Sequence, residues 1–126
     1  MTTRMSAYSL IIPATPPSLN EYKRWHWARQ ERERLNWQAM IWALLNQKGN
    51  KAPKGLEKVE VRAVLYFTTT RRRDSDNFGA VLAKWTQDCL VDYGMIPDDT
   101  ADRCTFLPPM IERGQTVYTF LTLRGM

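Results

Sequence analysis

The stretch RRRDSDN, residues 71–77, places three arginines directly before two aspartates that stand one residue apart. Asp74 and Asp76 have the spacing with which a strand end or a helix entry can direct two carboxylates at one cation. Magnesium takes carboxylate oxygens, keeps several waters and accepts a shell that a substrate phosphate completes. The stretch therefore predicts a magnesium site with arginines for an adjacent anion. The alternative is mutual neutralisation of these charges on a solvated surface.

A third carboxylate ligand would have to come from elsewhere in the chain. Asp98 and Asp99 are the candidates, and they follow a second predicted helix. A helix of roughly 16 residues is about 24 Å long, so its two ends cannot meet around one ion. Residues 94–99 must therefore fold back along that helix if the site is to form within one chain.

The composition limits both the class of protein and the kind of metal site. The chain has 126 residues, of which 44% are hydrophobic and 25% charged, as in one ordinary globular domain. Its 18 lysines and arginines outnumber 13 acidic residues, and the pI near 9.5 favours nucleic acid as a partner before membrane. Cys89, Cys104 and His26 are too few for a zinc site, so a metal would be bound by oxygen.

Targeting signals are weak in this sequence. No apolar run approaches the ~20 residues of a membrane span, and residues 1–18 lack a signal-peptide core of sufficient length. We therefore expect a soluble protein of the reducing cytoplasm.

Hydrophobic periodicity predicts the elements that carry the acidic cluster. Residues 8–12 alternate as a short strand that Pro13 ends, and residues 14–22 predict a rigid, proline-set loop after it. The pattern over residues 27–48 predicts an amphipathic helix with Gly49 at its C-terminal cap. The clearest strand covers residues 59–70 and delivers the chain to the arginines and aspartates.

A second helix follows the cluster and a strand pair closes the chain. The helix begins among residues 74–77, which are all good N-caps, and runs to about Tyr93, with Gly94 ready to end it. A weak strand through residues 104–106, limited to a sheet edge by prolines, precedes a last strand at 116–123. The order β-α-β-α-β-β predicts a single α+β domain across the chain, with a mixed or antiparallel sheet packed against two helices.

Three short motifs together carry a resemblance to a known family. The segments PPSLNEYKR, RRRDSDN and KWTQDCLVDYGMIPDD resemble, in order and chemistry, the RusA family of phage and bacterial Holliday junction resolvases. The positions that match the family pattern are Asp74, Asp76, Asn77, Lys84, Asp88, Leu90, Gly94, Asp98 and Asp99.

This resemblance implies a homodimeric, Mg²⁺-dependent endonuclease that nicks opposing strands of a four-way DNA junction in recombination and repair. Its location would be the cytoplasm of a bacterial or phage-infected cell. By the same resemblance, Asp74, Asp76 and Asp99 are catalytic metal ligands and Asp98 is a neighbouring one. The residues expected to bind DNA are Arg71, Arg72, Arg73, Lys23 and Arg24.

The chain departs from the family pattern at one lysine. A family lysine follows the second aspartate by four positions, but here that position is Ala80 and the nearest lysine is Lys84. If the helix is lengthened by one turn, Lys84 lies ~6 Å further along its axis. If residues 77–80 form a loop instead, Lys84 returns to the site as a catalytic residue. The alternative function is a catalytically weakened or inactive protein of the same fold that binds branched DNA, and a third is a basic interaction protein.

The tryptophans and the charged first half of the first predicted helix have structural interpretations as well. Trp37, Trp42 and Trp85 recur at helical spacing and are expected in the core. Trp25 and Trp27 lie in a basic stretch, where packing at the helix entrance and stacking on a junction are both open. The charged helix face is either solvated or a partner surface.

Overall fold

A computed structural model describes residues 7–49, 52–98, 100 and 102–126. Among the helices described there, none is both long and apolar enough to cross a membrane. The elements in chain order are β1 (Ala7–Ile12), α1 (Leu19–Arg24), α2 (Trp27–Leu45), β2 (Val59–Phe67), α3 (Ser75–Tyr93), β3 (Cys104–Phe106), β4 (Met110–Arg113) and β5 (Tyr118–Gly125).

The five strands form one mixed sheet with β2 and β5 at its centre. β5 pairs antiparallel with both β1 and β2, whereas β3 and β4 pair parallel with β2 along its other side. Pro108 and Pro109 separate β3 from β4 and hold both pieces to the edge, because proline cannot donate to a ladder. The predicted α+β architecture with a mixed sheet is confirmed.

The core lies between one face of the sheet and helices α2 and α3. Alternate residues of the strands point into it, as the period of two requires, and α2 contributes Trp37, Ile41 and Leu45. From α3 come Leu82, Trp85 and Leu90, among others. The indole Nε1 of Trp37 donates to Thr86 Oγ1 at 3.2 Å, so the two helices also share a buried hydrogen bond. This packing holds α3 along the sheet and thereby positions both of its ends.

The opposite face of the sheet carries a row of apolar side chains. Ile11 pairs in register with Phe120, Phe120 with Val64, and Val64 with Met110. Ile11 and Met110 at the two ends of this row are 59% and 60% exposed. The outer face of the sheet is therefore apolar along this row, in addition to the face that packs against the helices.

Several elements differ from the sequence-based predictions. A helix, α1, lies where a proline-set loop was predicted, because Ser18 caps it and accepts from Glu21 N at 3.1 Å in a capping-box pattern. β4 was not predicted at all. Helix α2 ends at Leu45 with Asn46 as its cap, so the prediction of Gly49 as the cap is wrong.

The burial of one tryptophan also differs from the prediction. Trp42 was expected in the core but is 47% exposed, and it meets Tyr93 edge to face with ring centroids 6.0 Å apart. The other two, Trp37 and Trp85, are both 2% exposed, as predicted.

Candidate functional site

The two aspartates of the opening stretch lie at the N-terminus of α3. Asp74 is the N-cap, with extended backbone angles, and its Oδ1 accepts from Asp76 N at 3.1 Å. Asp76 lies in the first turn, and both side chains are exposed. The predicted start of the helix among residues 74–77 is confirmed. Both carboxylates therefore sit at the positive end of the helix dipole, which favours anions there.

The neighbouring arginines do not neutralise these carboxylates by direct contact. Within the described part of the chain, no ion pair joins Arg71, Arg72 or Arg73 to Asp74 or Asp76. Arg71 and Arg72 are exposed. No ion pair therefore supports the mutual-neutralisation alternative, which stays a prediction, and Asp74 Oδ2 and both oxygens of Asp76 have no ion-pair partner in the described residues.

Arg73 turns back onto its own loop. Its Nη1 donates to the carbonyl oxygens of Thr69 and Arg71 at 3.2 and 3.0 Å, and its Nη2 donates to Thr69 Oγ1 at 2.8 Å. The guanidinium carbon lies 3.9 Å from the centroid of the Phe67 ring. Three of the five guanidinium N–H groups are thus used to hold the β2–α3 loop, and two are left for a phosphate. Phosphate binding by Arg73 stays a prediction.

A cleft of about 620 Å³, the arginine-rich cleft, adjoins this loop. Three parts of the chain line it: residues 14–25 including α1, the side of α2 from Arg29 to Met40, and the end of β2 with the β2–α3 loop and the Phe78 and Trp85 side chains of α3. Its charged lining residues are Glu21, Arg24, Arg29, Glu33, Arg71 and Arg73, and its aromatic ones are Trp25, Trp37, Phe67, Phe78 and Trp85.

This cleft brings together some of the predicted DNA-binding residues and leaves others out. Arg24, Arg71 and Arg73 line it, whereas Lys23 and Arg72 are exposed and do not. Arg29 was not singled out from the sequence, yet its guanidinium lies 4.2 Å from the centroid of the Trp25 ring inside the lining. The sequence does contain a signal for this position, because Arg29 and Glu33 are four residues apart and therefore share one face of α2.

The second acidic group lies at the other end of α3. Asp88, Asp92 and Asp98 line a separate cleft of about 410 Å³ together with Arg34. Asp98 Oδ1 accepts from Thr100 N and Oγ1 at 3.1 and 2.8 Å, and its Oδ2 lies 3.9 Å from Arg103 Nε. The hydrogen bonds from Thr100, and secondarily the charge of Arg103, hold the pKa of Asp98 below its usual value.

The segment after α3 turns back only over the last turns of the helix, where Asp98 shares a cleft with Asp88 and Asp92. The carbonyl oxygens of Gly94 and Met95 accept from Gly55 N and Leu56 N at 2.8 and 2.7 Å, which fastens this segment near the start of β2. With 19 residues, α3 is roughly 28 Å long and separates Asp98 from Asp76.

The predicted set of four carboxylates is therefore not assembled within one chain. Asp74 and Asp76 lie together, Asp98 lies at the far end of α3, and Asp99 is outside the described residues. In the part of the chain that the structure describes, no group of three or more His, Cys, Asp or Glu side chains is placed to hold a metal ion. The assignment of these residues as ligands stays a prediction.

The position of Lys84 follows from the course of helix α3. The helix is continuous through Gly79, whose φ is not positive, so the alternative with an inserted loop is wrong. A Cβ at Gly79 would lie 3.0 Å from Pro109 Cδ, which explains a glycine in this helix. Lys84 is eight residues beyond Asp76, about 12 Å along the axis. Its ammonium group is exposed and 5.8 Å from the centroid of the Tyr22 ring.

The only histidine has a structural role at the entrance of α2. His26 is the N-cap of that helix, and its Nδ1 accepts from Ala28 N at 3.2 Å. Its ring lies against that of Trp27, which is 72% exposed. Neither residue lines the arginine-rich cleft.

The chemistry available at the N-terminal end of α3 is that of an oxygen-ligand cation site beside an anion site. Asp74 uses one carboxylate oxygen for capping, so its Oδ2 and both oxygens of Asp76 remain for a hard cation such as magnesium. The arginines of the cleft would bind phosphate next to it. The resemblance to the RusA family stays a prediction from short motifs, since no protein-family model and no curated protein sequence matches this chain.

Proposed function

We propose that this protein is a Mg²⁺-dependent endonuclease that cuts branched DNA of the four-way junction type, in recombination and repair in the cytoplasm of a bacterial or phage-infected cell. One observation carries the proposal. Asp74 and Asp76 are exposed and without ion pairs among the described residues, directly beside a cleft that four arginines line.

In this proposal the chain's own residues divide the work. Asp74 Oδ2 and the Asp76 carboxylate would hold the ion, while the cap hydrogen bond from Asp76 N keeps Asp74 oriented. Arg71, exposed and free of ion pairs in the described part of the chain, binds a phosphate beside the one to be cut. When bound, magnesium would polarise the scissile phosphate and lower the pKa of an attacking water.

A homodimer is part of the proposal for a geometric reason. Asp76 and Asp98 are separated by the length of α3 within one chain. A metal site that uses carboxylates from both ends of this helix would therefore take one end from each of two copies. A two-fold dimer would hold two such sites, which suits a substrate in which two opposing strands are cut.

The direct test is cleavage of a synthetic four-way junction in Mg²⁺ by the wild-type protein and by Asp76→Asn, with linear duplex as the control substrate. We expect paired nicks with the wild-type protein only, and only on branched DNA. Failure of the wild-type protein to cut any branched DNA in Mg²⁺ would contradict the enzymatic function.

The second candidate is a protein that binds branched DNA without cutting it, and the position of Lys84 favours it. The backbone of Lys84 is about 12 Å along α3 from that of Asp76, whereas position 80, one turn after Asp76, holds an exposed alanine. Junction binding without cleavage, followed by cleavage in Ala80→Lys, would support this candidate. Loss of cutting in Lys84→Gln, with the exposed Lys48→Gln outside both clefts as the matched control, would contradict it.

A further inference from the structure

The arginine-rich cleft contains two arginines stacked on aromatic rings. Arg29 lies over Trp25 at 4.2 Å and Arg73 over Phe67 at 3.9 Å, and all four residues line the cleft. Aromatic rings and guanidinium planes are the surfaces on which unpaired nucleobases stack in single-stranded nucleic acid sites. A groove for a DNA backbone alone needs the positive charge but not these flat surfaces.

Two carboxylates in the same cleft argue further against a site for phosphate alone. Glu21 and Glu33 line it, and each would repel a phosphate group. The ion pair of Glu33 within the described residues is a loose one with Arg32 at 4.0 Å, and Glu21 has none there. Carboxylates do accept hydrogen bonds from the exocyclic amino groups of bases, as they do from cytosine N4.

The size of the cleft limits what can enter. Its volume of about 620 Å³ is within the range of pockets that enclose one small molecule. A double helix is too wide for it, whereas a single nucleotide swung out of a stack is of the right size. Unpaired or easily unstacked nucleotides are available where DNA branches.

We infer that this cleft binds one unstacked nucleotide, with its base against the Arg29–Trp25 pair and its phosphate near Arg24 and Arg71. The Glu21 and Glu33 carboxylates favour a base with an exocyclic amino group. The identity of the ligand as DNA rests on the proposed nuclease function. The cleft does not include the Asp74 and Asp76 carboxylates, so nucleotide binding can be measured separately from cleavage.

The test is tryptophan fluorescence of the full chain without Mg²⁺, titrated with dAMP, dTMP, deoxyadenosine and inorganic phosphate. Trp25, Trp37 and Trp85 line the cleft and should report binding. We expect dAMP to bind at least about fivefold more tightly than phosphate or the nucleoside alone, because it gains both stacking and ionic contacts. Binding of dTMP should be weaker than that of dAMP, because it lacks the amino group.

Arg29→Gln and Arg32→Gln form the matched pair of variants. Both arginines are exposed on α2, but only Arg29 lines the cleft. We expect Arg29→Gln to weaken dAMP binding by at least about fivefold, since it removes a stacking partner, and Arg32→Gln to leave it unchanged. Glu33→Gln should reduce the preference for dAMP over dTMP. Melting curves of all variants control for misfolding.

Three outcomes would overturn the inference: equal binding of phosphate and dAMP, no dAMP binding, or dAMP binding that Arg29→Gln does not change. Junction cleavage measured on the same samples separates this inference from the proposed function. If Arg29→Gln still cleaves the junction and dAMP does not bind, the nucleotide-binding cleft is contradicted and the nuclease function is not. Binding of dAMP without cleavage supports the cleft and contradicts the nuclease.

Discussion

The two ends of α3 carry similar acidic residues in opposite circumstances. At the N-terminal end, Asp76 has no ion pair in the described part of the chain, although three arginines precede it. At the other end, Thr100 and Arg103 hold Asp98 in place, and Arg34 is engaged with Glu31 and Gln38. A cluster of opposite charges therefore says little by itself. Free carboxylate oxygens distinguish a candidate site from a satisfied surface.

The helix itself adds to this contrast. Its dipole stabilises anions at the first turn and disfavours them at the last. Asp88 and Asp92 lie near the disfavoured end, where burial first and these two charges second raise the pKa of the Cys89 thiol to about 12. The same helix thus presents carboxylates usefully at one end and suppresses a thiolate toward the other.

The largest difference that we expect between the two ends of α3 is in junction cleavage. Asp74→Ser removes a metal ligand but keeps an N-cap oxygen, so we expect a loss of junction cleavage on the order of 10³-fold with the helix intact. Asp92→Ser, at the other end of α3, should cut like the wild type. Single-turnover assays in Mg²⁺ measure both. Equal losses in the two variants would contradict a site at the N-terminal end.

The next effect concerns the thiol near the acidic end. Because the pKa of Cys89 is raised to about 12, the group is neutral at pH 8. We expect iodoacetamide to alkylate it at least about 100-fold more slowly than in the unfolded chain, since only the thiolate reacts. Peptide-level mass spectrometry follows Cys89 separately from Cys104, and urea provides the control. Rapid alkylation of Cys89 in the native protein would contradict this expectation and show that the thiol becomes exposed to solvent.

A smaller effect tests whether the two ends are independent. Asp74→Ala removes the N-cap, and Gly94→Ala strains the C-cap, where φ is +90°. Each should lower the free energy of unfolding by about 1 kcal/mol. The two sites are roughly 28 Å apart, so the double variant should show the sum in urea unfolding. A clear departure from additivity would mean that the ends are coupled.

The smallest effect is on the acidity of Asp98. Its pKa is lowered chiefly by the hydrogen bonds from Thr100, so Thr100→Ala should raise that pKa toward its usual value. The stabilising contribution of Asp98 is present above its unfolded pKa and is lost as pH falls through the lowered folded value. NMR titration of the carboxyl carbon measures the change. Thr105→Ala, on the exposed side of β3, is the control and should leave the pKa unchanged.

Local signals in the sequence determined the unit that carries the candidate site. The alternation over β2, the capping residue Asp74 and the glycine at position 94 each depend on neighbours in sequence, so the strand, the loop and both helix ends could be predicted. The capping box of α1 is equally local, but the prolines before it drew the prediction toward a loop.

Tertiary structure decided which of these residues meet. Hydrogen bonds to Gly55 and Leu56 hold the end of α3 at the start of β2, and no sequence spacing shows that this places Asp98 far from Asp76. The cleft is likewise assembled from two stretches distant in sequence, residues 14–40 and 67–85, which put Arg29 and Arg71 in one lining. Residue types and local order follow from neighbouring residues, whereas distances between segments follow from how the helices pack on the sheet.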